Sequence, residues 1–385
     1  MEVYLDNGAT TRPREEVINE INFMLRESYG NPSSLHRLGF NAEKKVERAR
    51  DIIANFLSVN KDEVYFTSGG TESNNIAIQG IINKNKKRGN HIITTEIEHP
   101  SILNIFKYYE ESGFNVTYLK VDEYGFIDLE ELEKSINDST ILVSIMLVNN
   151  EIGTIEPVEK IRDILNKKDS NAYIHVDGIQ AFGKIPLKLK EWDIDSFSFS
   201  GHKIHGPKGI GGLYIKKETN ISPMVYGGNQ EKGLRSGTEN VPGIVGMGKA
   251  VEIINNNFED EKKYIMNLKK YLYKNIKSNI PRIKINSLLD NNFSPYILNI
   301  SFLGVKGEVL LHFLEDRGIY VSTGSACSSH GQGKSHVLTA IGLSNEEIEG
   351  AIRFSLSHFN TKEDIDYVVE ELKKSVDEIR QIMMR

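Results

Sequence analysis

Ile174-His175-Val176-Asp177-Gly178-Ile179-Gln180 is a short β-rich run that stops at an acid and a glycine turn, and Ser196-Phe197-Ser198-Phe199-Ser200-Gly201-His202-Lys203 repeats the design with a lysine at its exit. Two such runs read as strands of a mainly parallel sheet covered by helices. Outward from them the same rhythm continues. Strands are expected at Val64-Thr67, Ile92-Thr95, Val116-Leu119, Ile141-Leu147, Ile174-Val176 and Ser196-Phe199, with amphipathic helices between them, as at Asn41-Leu57 and Asn75-Ile82. The expected fold class is α/β.

At 385 residues the chain is too long for one ordinary core and suits a large domain with a smaller companion. Around Asn255-Lys263 it turns polar and charged, then enters a helical pattern through Tyr264, Leu268, Leu272 and Ile276. We place the boundary there, giving a large domain of 10–254 and a smaller α+β domain of 1–9 and 255–385. Later strands are expected at Ile297-Phe302, Ile319-Ser322 and Ile352-Leu356. Thr361 with Asp364 reads as a capping box, opening a last helix whose apolar stripe runs Ile365, Val369, Leu372, Val376, Ile379.

The formal charge of -6 argues against a surface built to bind nucleic acid directly. No apolar run approaches the ~20 residues that span a bilayer, and Met1-Glu2-Val3-Tyr4-Leu5-Asp6 lacks the basic-then-apolar pattern of a secretory leader. A cytoplasmic protein is expected, with no membrane partner. One cysteine, Cys327, rules out an internal disulfide and a multi-cysteine metal site made by one chain, and suits a reducing compartment. No metal is expected.

An acid leaving one strand and a lysine leaving another, with Gln180, Ser200 and His202 beside them, is what a pyridoxal phosphate (PLP) site needs. The lysine forms a Schiff base, the carboxylate holds the pyridine nitrogen protonated, and the serine and histidine donate to phosphate. Ser68-Gly69-Gly70-Thr71-Glu72-Ser73 lies between a strand and a helix, where free amides and the helix dipole favour a phosphate, although a plain turn explains it too. His99 can stack a flat ring on a flat cofactor or simply start a helix. Asn149-Asn150-Glu151 falls at a strand end, where open α/β sheets place ligands and where turns also collect asparagine. Arg353, between Ile352 and Phe354, needs an anion, either a protein carboxylate or a substrate carboxylate. Cys327 is flanked by small and polar residues that suggest exposure, as a reactive thiolate requires. Gly331-Gln332-Gly333-Lys334-Ser335 is not an ATP loop, because that pattern needs glycine at the position of Ser328.

Taken together, these residues resemble the cysteine desulfurases of the NifS/IscS type, in the class V aminotransferase group of fold type I PLP enzymes. The likeness runs through Tyr4-Leu5-Asp6-Asn7-Gly8-Ala9-Thr10-Thr11, Gly30-Asn31-Pro32, Phe66-Thr67-Ser68-Gly69-Gly70-Thr71-Glu72, Glu98-His99 and Asn149-Asn150-Glu151. It continues through His175-Val176-Asp177, Ser200-Gly201-His202-Lys203, Gly233 to Asn240, Gly324-Ser325-Ala326-Cys327 and Ser335-His336-Val337-Leu338.

The resemblance implies a PLP-dependent transferase fold whose large domain carries a seven-stranded, mainly parallel sheet. It implies that Lys203 holds PLP covalently, Asp177 pairs with its ring nitrogen, Gln180 bonds its phenolic oxygen, and His99 stacks on the ring and assists proton transfer. Gly70, Thr71, Ser200 and His202 would bind phosphate, with Thr238 reaching the neighbouring subunit's phosphate in a homodimer. Asn150 and Arg353 would hold the substrate carboxylate. L-cysteine would become L-alanine, with a persulfide on Cys327 passed to an acceptor protein, an iron-sulfur scaffold or a tRNA-thiolating enzyme. The alternatives are another class V enzyme, such as a selenocysteine lyase or a small-amino-acid aminotransferase, and a non-catalytic PLP-binding regulator. Two departures stand out. Gly178 stands where relatives commonly carry Ala beneath the ring, so looser cofactor packing is expected. Lys334 stands where many have Pro, which is expected to alter the stiffness of the cysteine loop. The span from Cys327 to Ser335 resembles the longer type of loop, which implies diverse acceptors.

Overall fold

The computed structural model of the chain describes residues 1–323 and 334–383. Its centre is a seven-stranded sheet in the order Val64–Thr67, Gly211–Ile215, Ser196–Ser200, Tyr173–Asp177, Thr140–Met146, His91–Thr95, Asn115–Leu119. Pairings from Ser196–Ser200 across to Asn115–Leu119 are parallel, and only Gly211–Ile215 runs antiparallel to its two neighbours. The inner strands, such as Thr140–Met146, are buried throughout, as expected when helices cover both faces. The six strands expected in this region are present. The seventh, Gly211–Ile215, begins with a Gly-Gly pair that reads locally as a turn.

Helices Arg37–Leu57 and Gly70–Asn85 cover the sheet and are longer than their apolar periodicity alone indicates. The helix expected from Tyr264 begins much earlier. One 39-residue helix, Val241–Asn279, runs unbroken through the polar stretch. Its first part is glycine-rich for a packing reason: a Cβ on Gly248 would stand 2.7 Å from that of Ala49, so glycine lets this helix press against Arg37–Leu57. Residues Val241 to Ile254 belong to the apolar core around the large sheet, while Ile265 to Ile276 belong to a second core.

That second core forms under an antiparallel sheet ordered Ser322–Thr323, Ala351–Ser355, Ile297–Phe302, Ile283–Ile285. The expected strand over Ile319-Ser322 is divided. Ile319–Tyr320 pairs in parallel with Val3–Tyr4, and Ser322–Thr323 pairs with Ala351–Ser355. The last helix, Lys362–Met383, opens on the expected reciprocal cap: Thr361 N donates to Asp364 Oδ2 at 2.9 Å and Asp364 N to Thr361 Oγ1 at 3.1 Å. Its stripe from Ile365 to Ile379 is buried in the second core. Among the described residues, no helix is long and apolar enough to cross a membrane.

Candidate functional site

The carboxyl ends of the parallel strands converge on one region, as open α/β sheets dictate for ligand sites. Tyr173–Asp177 ends in Asp177 and Ser196–Ser200 ends in Ser200, followed directly by the single turn Gly201–Lys203. His99 caps helix Pro100–Glu111 after His91–Thr95. Gly70 and Thr71 open helix Gly70–Asn85 after Val64–Thr67. The fold therefore brings together residues that are far apart in sequence.

Asp177 is buried and fully engaged on the protein side. Ile179 N donates to Oδ1 at 3.0 Å and Asn74 Nδ2 to Oδ2 at 2.9 Å. Burial pushes its pKa up, opposed by the amide donors and by His99 and Lys203. His99 Nδ1 accepts the backbone N–H of Ser101 at 3.1 Å and lies 2.8 Å from its hydroxyl. Burial lowers the His99 pKa, Asp177 pulls it the other way, and Lys203 and His336 add to the lowering.

Lys203 Nζ donates to the carbonyls of Gly8, at 2.5 Å, and Ala9, at 2.8 Å. Gln180 Nε2 donates to the same Gly8 carbonyl at 2.9 Å, and its Oε1 accepts from Lys184 Nζ at 2.9 Å. Lys184 is buried, and burial, with Lys203 and Arg353 nearby, pulls its pKa down to about 7. His202 Nδ1 lies 3.2 Å from Thr10 Oγ1, and burial holds its pKa near 4, so the ring is neutral at pH 7.

Three features test whether this set fits PLP. The Ser200 hydroxyl is fully buried and has no hydrogen-bond partner among the described residues. Such an orphan is costly unless a ligand satisfies it. Beside it, the first amides of Gly70–Asn85 are unsatisfied within the helix, and Gly69 before them supplies no side-chain cap. Asp177 offers a buried carboxylate to a protonated ring nitrogen, and Gln180 Nε2 carries a second hydrogen for a phenolic oxygen. The donor set fits the cofactor.

Arg353 is buried, with Nη1 donating to the Asn150 carbonyl at 2.8 Å and Nη2 to Asp6 Oδ1 at 2.8 Å. Its Nε has no partner among the described residues. Asp6 is the protein carboxylate that the sequence offered as one partner for this arginine, and it takes one edge of the guanidinium. Thr238 is exposed on the segment before Val241–Asn279. Cys327 lies outside the described residues. Beyond Cys327 in the chain, Ser335 Oγ donates to Glu151 Oε2 at 2.6 Å and His336 Nε2 donates to the Glu98 carbonyl at 2.9 Å. Burial raises the Glu151 pKa to about 7, against the Ser335 hydrogen bond and Arg353.

Looser packing at Gly178 is not what the structure shows. A Cβ there would stand 1.8 Å from Cζ of Phe197, so that ring on the adjacent strand fills the space a methyl group would take. Sequence reading also missed Asn74 and Lys184. Each carries a signal in retrospect: an amide between Ser73 and the apolar face of a helix, and a lysine set among Ala181, Phe182 and Ile185.

Comparison with known proteins agrees with this geometry. Residues 3–368 match the aminotransferase class-V family. A Clostridium botulinum protein named cysteine desulfurase IscS is 46% identical over 382 residues, covering 99% of this chain and 96% of that protein. A solved NifS-like protein superposes with a TM-score of 0.92 at 42% identity, covering 98% of this chain and all of the other. Another, described as SspA in complex with cysteine, has a TM-score of 0.79 at 35% identity, covering 93% and 99%. The chain belongs to the aminotransferase class-V family, among the cysteine desulfurases of the NifS/IscS type.

Proposed function

We propose that the chain is a PLP-dependent cysteine desulfurase that converts L-cysteine to L-alanine and passes the sulfur to an acceptor protein. The observation that carries the reading is the convergence of Lys203, Asp177 and the orphaned Ser200 hydroxyl at the strand ends.

Lys203 would hold the cofactor covalently, Asp177 would keep its ring nitrogen charged, and Gln180 would bond its phenolic oxygen. Gly70, Thr71, Ser200 and His202 would hold its phosphate. Bound there, PLP withdraws electrons from the substrate's α-carbon so that bonds next to it can break. Asn150 and the Nε of Arg353 would orient the substrate carboxylate, and His99 would face the cofactor ring and assist proton transfer. The Cys327 thiolate then attacks the substrate sulfur. A sulfur-sulfur bond forms, the carbon-sulfur bond breaks with its electron pair left on carbon, and protonation of that carbon yields alanine.

Several wider assignments go with this reading. The division into a cofactor-binding domain, 10–254, and a small domain, 1–9 with 255–385, is supported by the two separate apolar cores. A homodimer is supported by the exposed apolar side chains Phe23, Leu25, Tyr29, Leu35 and Phe40 on and between helices Glu15–Glu27 and Arg37–Leu57, and Thr238 would reach the partner's phosphate. A thiol-based step suits a reducing compartment, and we place the protein in the cytoplasm. The acceptor would be an iron-sulfur scaffold or a tRNA-thiolating enzyme.

The test is Cys327→Ala with L-cysteine in a single turnover and no added thiol. Alanine should fall to background while the bound-cofactor absorbance remains. Alanine formed at the wild-type rate would remove Cys327 from the reaction and favour a lyase, whereas an aminotransferase would instead turn over an added 2-oxo acid.

A further inference from the structure

A single buried amide joins the acid of the site to its histidine. Asn74 is fully buried on helix Gly70–Asn85. Its Nδ2 donates to Asp177 Oδ2 at 2.9 Å and to Ser101 Oγ at 3.0 Å, and its Oδ1 lies 3.2 Å from His175 Nε2.

Only one arrangement of hydrogens satisfies all of these contacts. A carboxylate accepts and cannot donate, so the NH2 end of Asn74 must face Asp177. Oδ1 then faces His175, which must carry its hydrogen on Nε2. Its other nitrogen, Nδ1, lies 2.9 Å from Ser196 Oγ and accepts from that hydroxyl. His175 is fully buried, and burial holds its pKa near 3, so the ring is neutral and has one hydrogen to give. On the far side, Ser101 Oγ accepts from Asn74, which leaves its own hydrogen for His99 Nδ1 at 2.8 Å. The backbone N–H of Ser101 points at the same atom from 3.1 Å. Protonating His99 at Nδ1 would set two hydrogens against each other at the Ser101 backbone N–H and would force the Ser101 hydroxyl to turn its own hydrogen elsewhere.

We propose that Asn74 is a positioning residue that holds the Asp177 carboxylate in place for the cofactor nitrogen and, through Ser101, keeps Nδ1 of His99 unprotonated. It rests on the reading of Asp177 and His99 as cofactor-facing groups, but half of it is measurable without the cofactor. His175 and Ser196 lock the amide from behind. The acid is thereby held directly by this amide and the histidine through Ser101.

Nitrogen-15 spectroscopy of the histidine rings in cofactor-free protein, titrated over pH, tests it, together with the PLP dissociation constant. Wild-type His99 and His175 should both show the Nε2–H form. Asn74→Leu keeps the volume and removes every polar contact. It should move the His99 pKa upward and weaken PLP binding by on the order of tenfold, the expected effect of losing a hydrogen bond to a charged group. Ser101→Ala changes a half-buried residue and keeps the protein folded if Asn74→Leu does not. It should move His99 upward in the same way and leave PLP affinity nearly unchanged, because Asn74 still holds Asp177. An Nδ1–H form in the wild type, or a His99 pKa indifferent to Ser101→Ala, overturns the proposal. So do equal losses of PLP affinity in the two variants. A wild type that takes up no PLP overturns the reading of the site and the Asp177 half of the proposal together, while the His99 half is judged on its own titration.

Discussion

Gly178→Ala should destabilise the protein, and thinning Phe197 should relieve part of the loss. The added Cβ would lie 1.8 Å from Cζ, 2.1 Å from Cε2 and 2.5 Å from Cε1 of a fully buried ring. Neither partner has room to yield. Gly178 N donates to the Ser198 carbonyl at 2.9 Å, and the Gly178 carbonyl accepts from Ala181 N at 2.9 Å and Phe182 N at 2.8 Å. Overpacking of this kind typically costs ~1–3 kcal/mol, and the closeness of approach places it near the upper end. Phe197→Met alone, a swap to a flexible apolar side chain, should cost about 1 kcal/mol. The double variant should lose far less than the sum, a coupling of roughly 2 kcal/mol. Urea unfolding of the four cofactor-free proteins measures the cycle. If the methyl group instead entered free space beneath the cofactor, Gly178→Ala would leave cofactor-free stability unchanged and tighten PLP binding. That outcome, or strict additivity, refutes the argument.

Glu231 is buried and bidentate with Arg50, at 2.8 and 2.9 Å, and accepts Phe66 N at 2.9 Å. Glu231→Ala removes the carboxylate that grips both Nη atoms and leaves the buried guanidinium only Glu47 on Nε and the Val64 carbonyl, so it should lower the unfolding free energy by ~3 kcal/mol, the low end for breaking a buried pair, in the same assay. Lys269 is fully buried, donating to the Leu288 and Ser294 carbonyls, and burial pulls its pKa from 10.5 to about 7, opposed by Asp290. Between about pH 7 and 10.5 the unfolded lysine holds a proton that the folded one has lost, so stability rises with pH there. The wild type should therefore gain up to ~1.4 kcal/mol per pH unit relative to Lys269→Met, and parallel profiles would contradict it. Arg353→Lys removes the planar fork shared between Asp6 and substrate. The KM for L-cysteine should rise about tenfold or more with a smaller change in kcat, in steady-state assays.

What could be read from the sequence follows from how local each signal is. The buried parallel strands are continuous apolar runs ending in polar residues, and Asp177, Lys203 and His99 stand out because each leaves such a run. Gly211–Ile215 hid because its leading glycines serve close packing rather than turning. Val241–Asn279 hid because glycines that fit against Ala49 and the polar residues 255–257 both weaken helical periodicity. The groups that orient the site were the least legible. Asn74 meets Asp177 across 103 residues and Asp6 meets Arg353 across 347, and nothing in either neighbourhood announces its partner. The placement of Cys327, which narrows the chemistry to sulfur, rests on the sequence alone.

The segment that holds the lysine in place also sets when the site can exist during synthesis. Gly8 and Ala9, whose carbonyls receive Lys203, are positioned by Asn7 Nδ2 donating to the Ser355 carbonyl and Gly8 N donating to the Ser355 hydroxyl. They wait for partners made almost 350 residues later. The large sheet can assemble on a nascent chain, but the lysine pocket closes only after residue 355 has emerged. An incomplete chain would thus present its lysine without the carbonyls that hold it, and cofactor capture is tied to completion of the strand that carries Arg353.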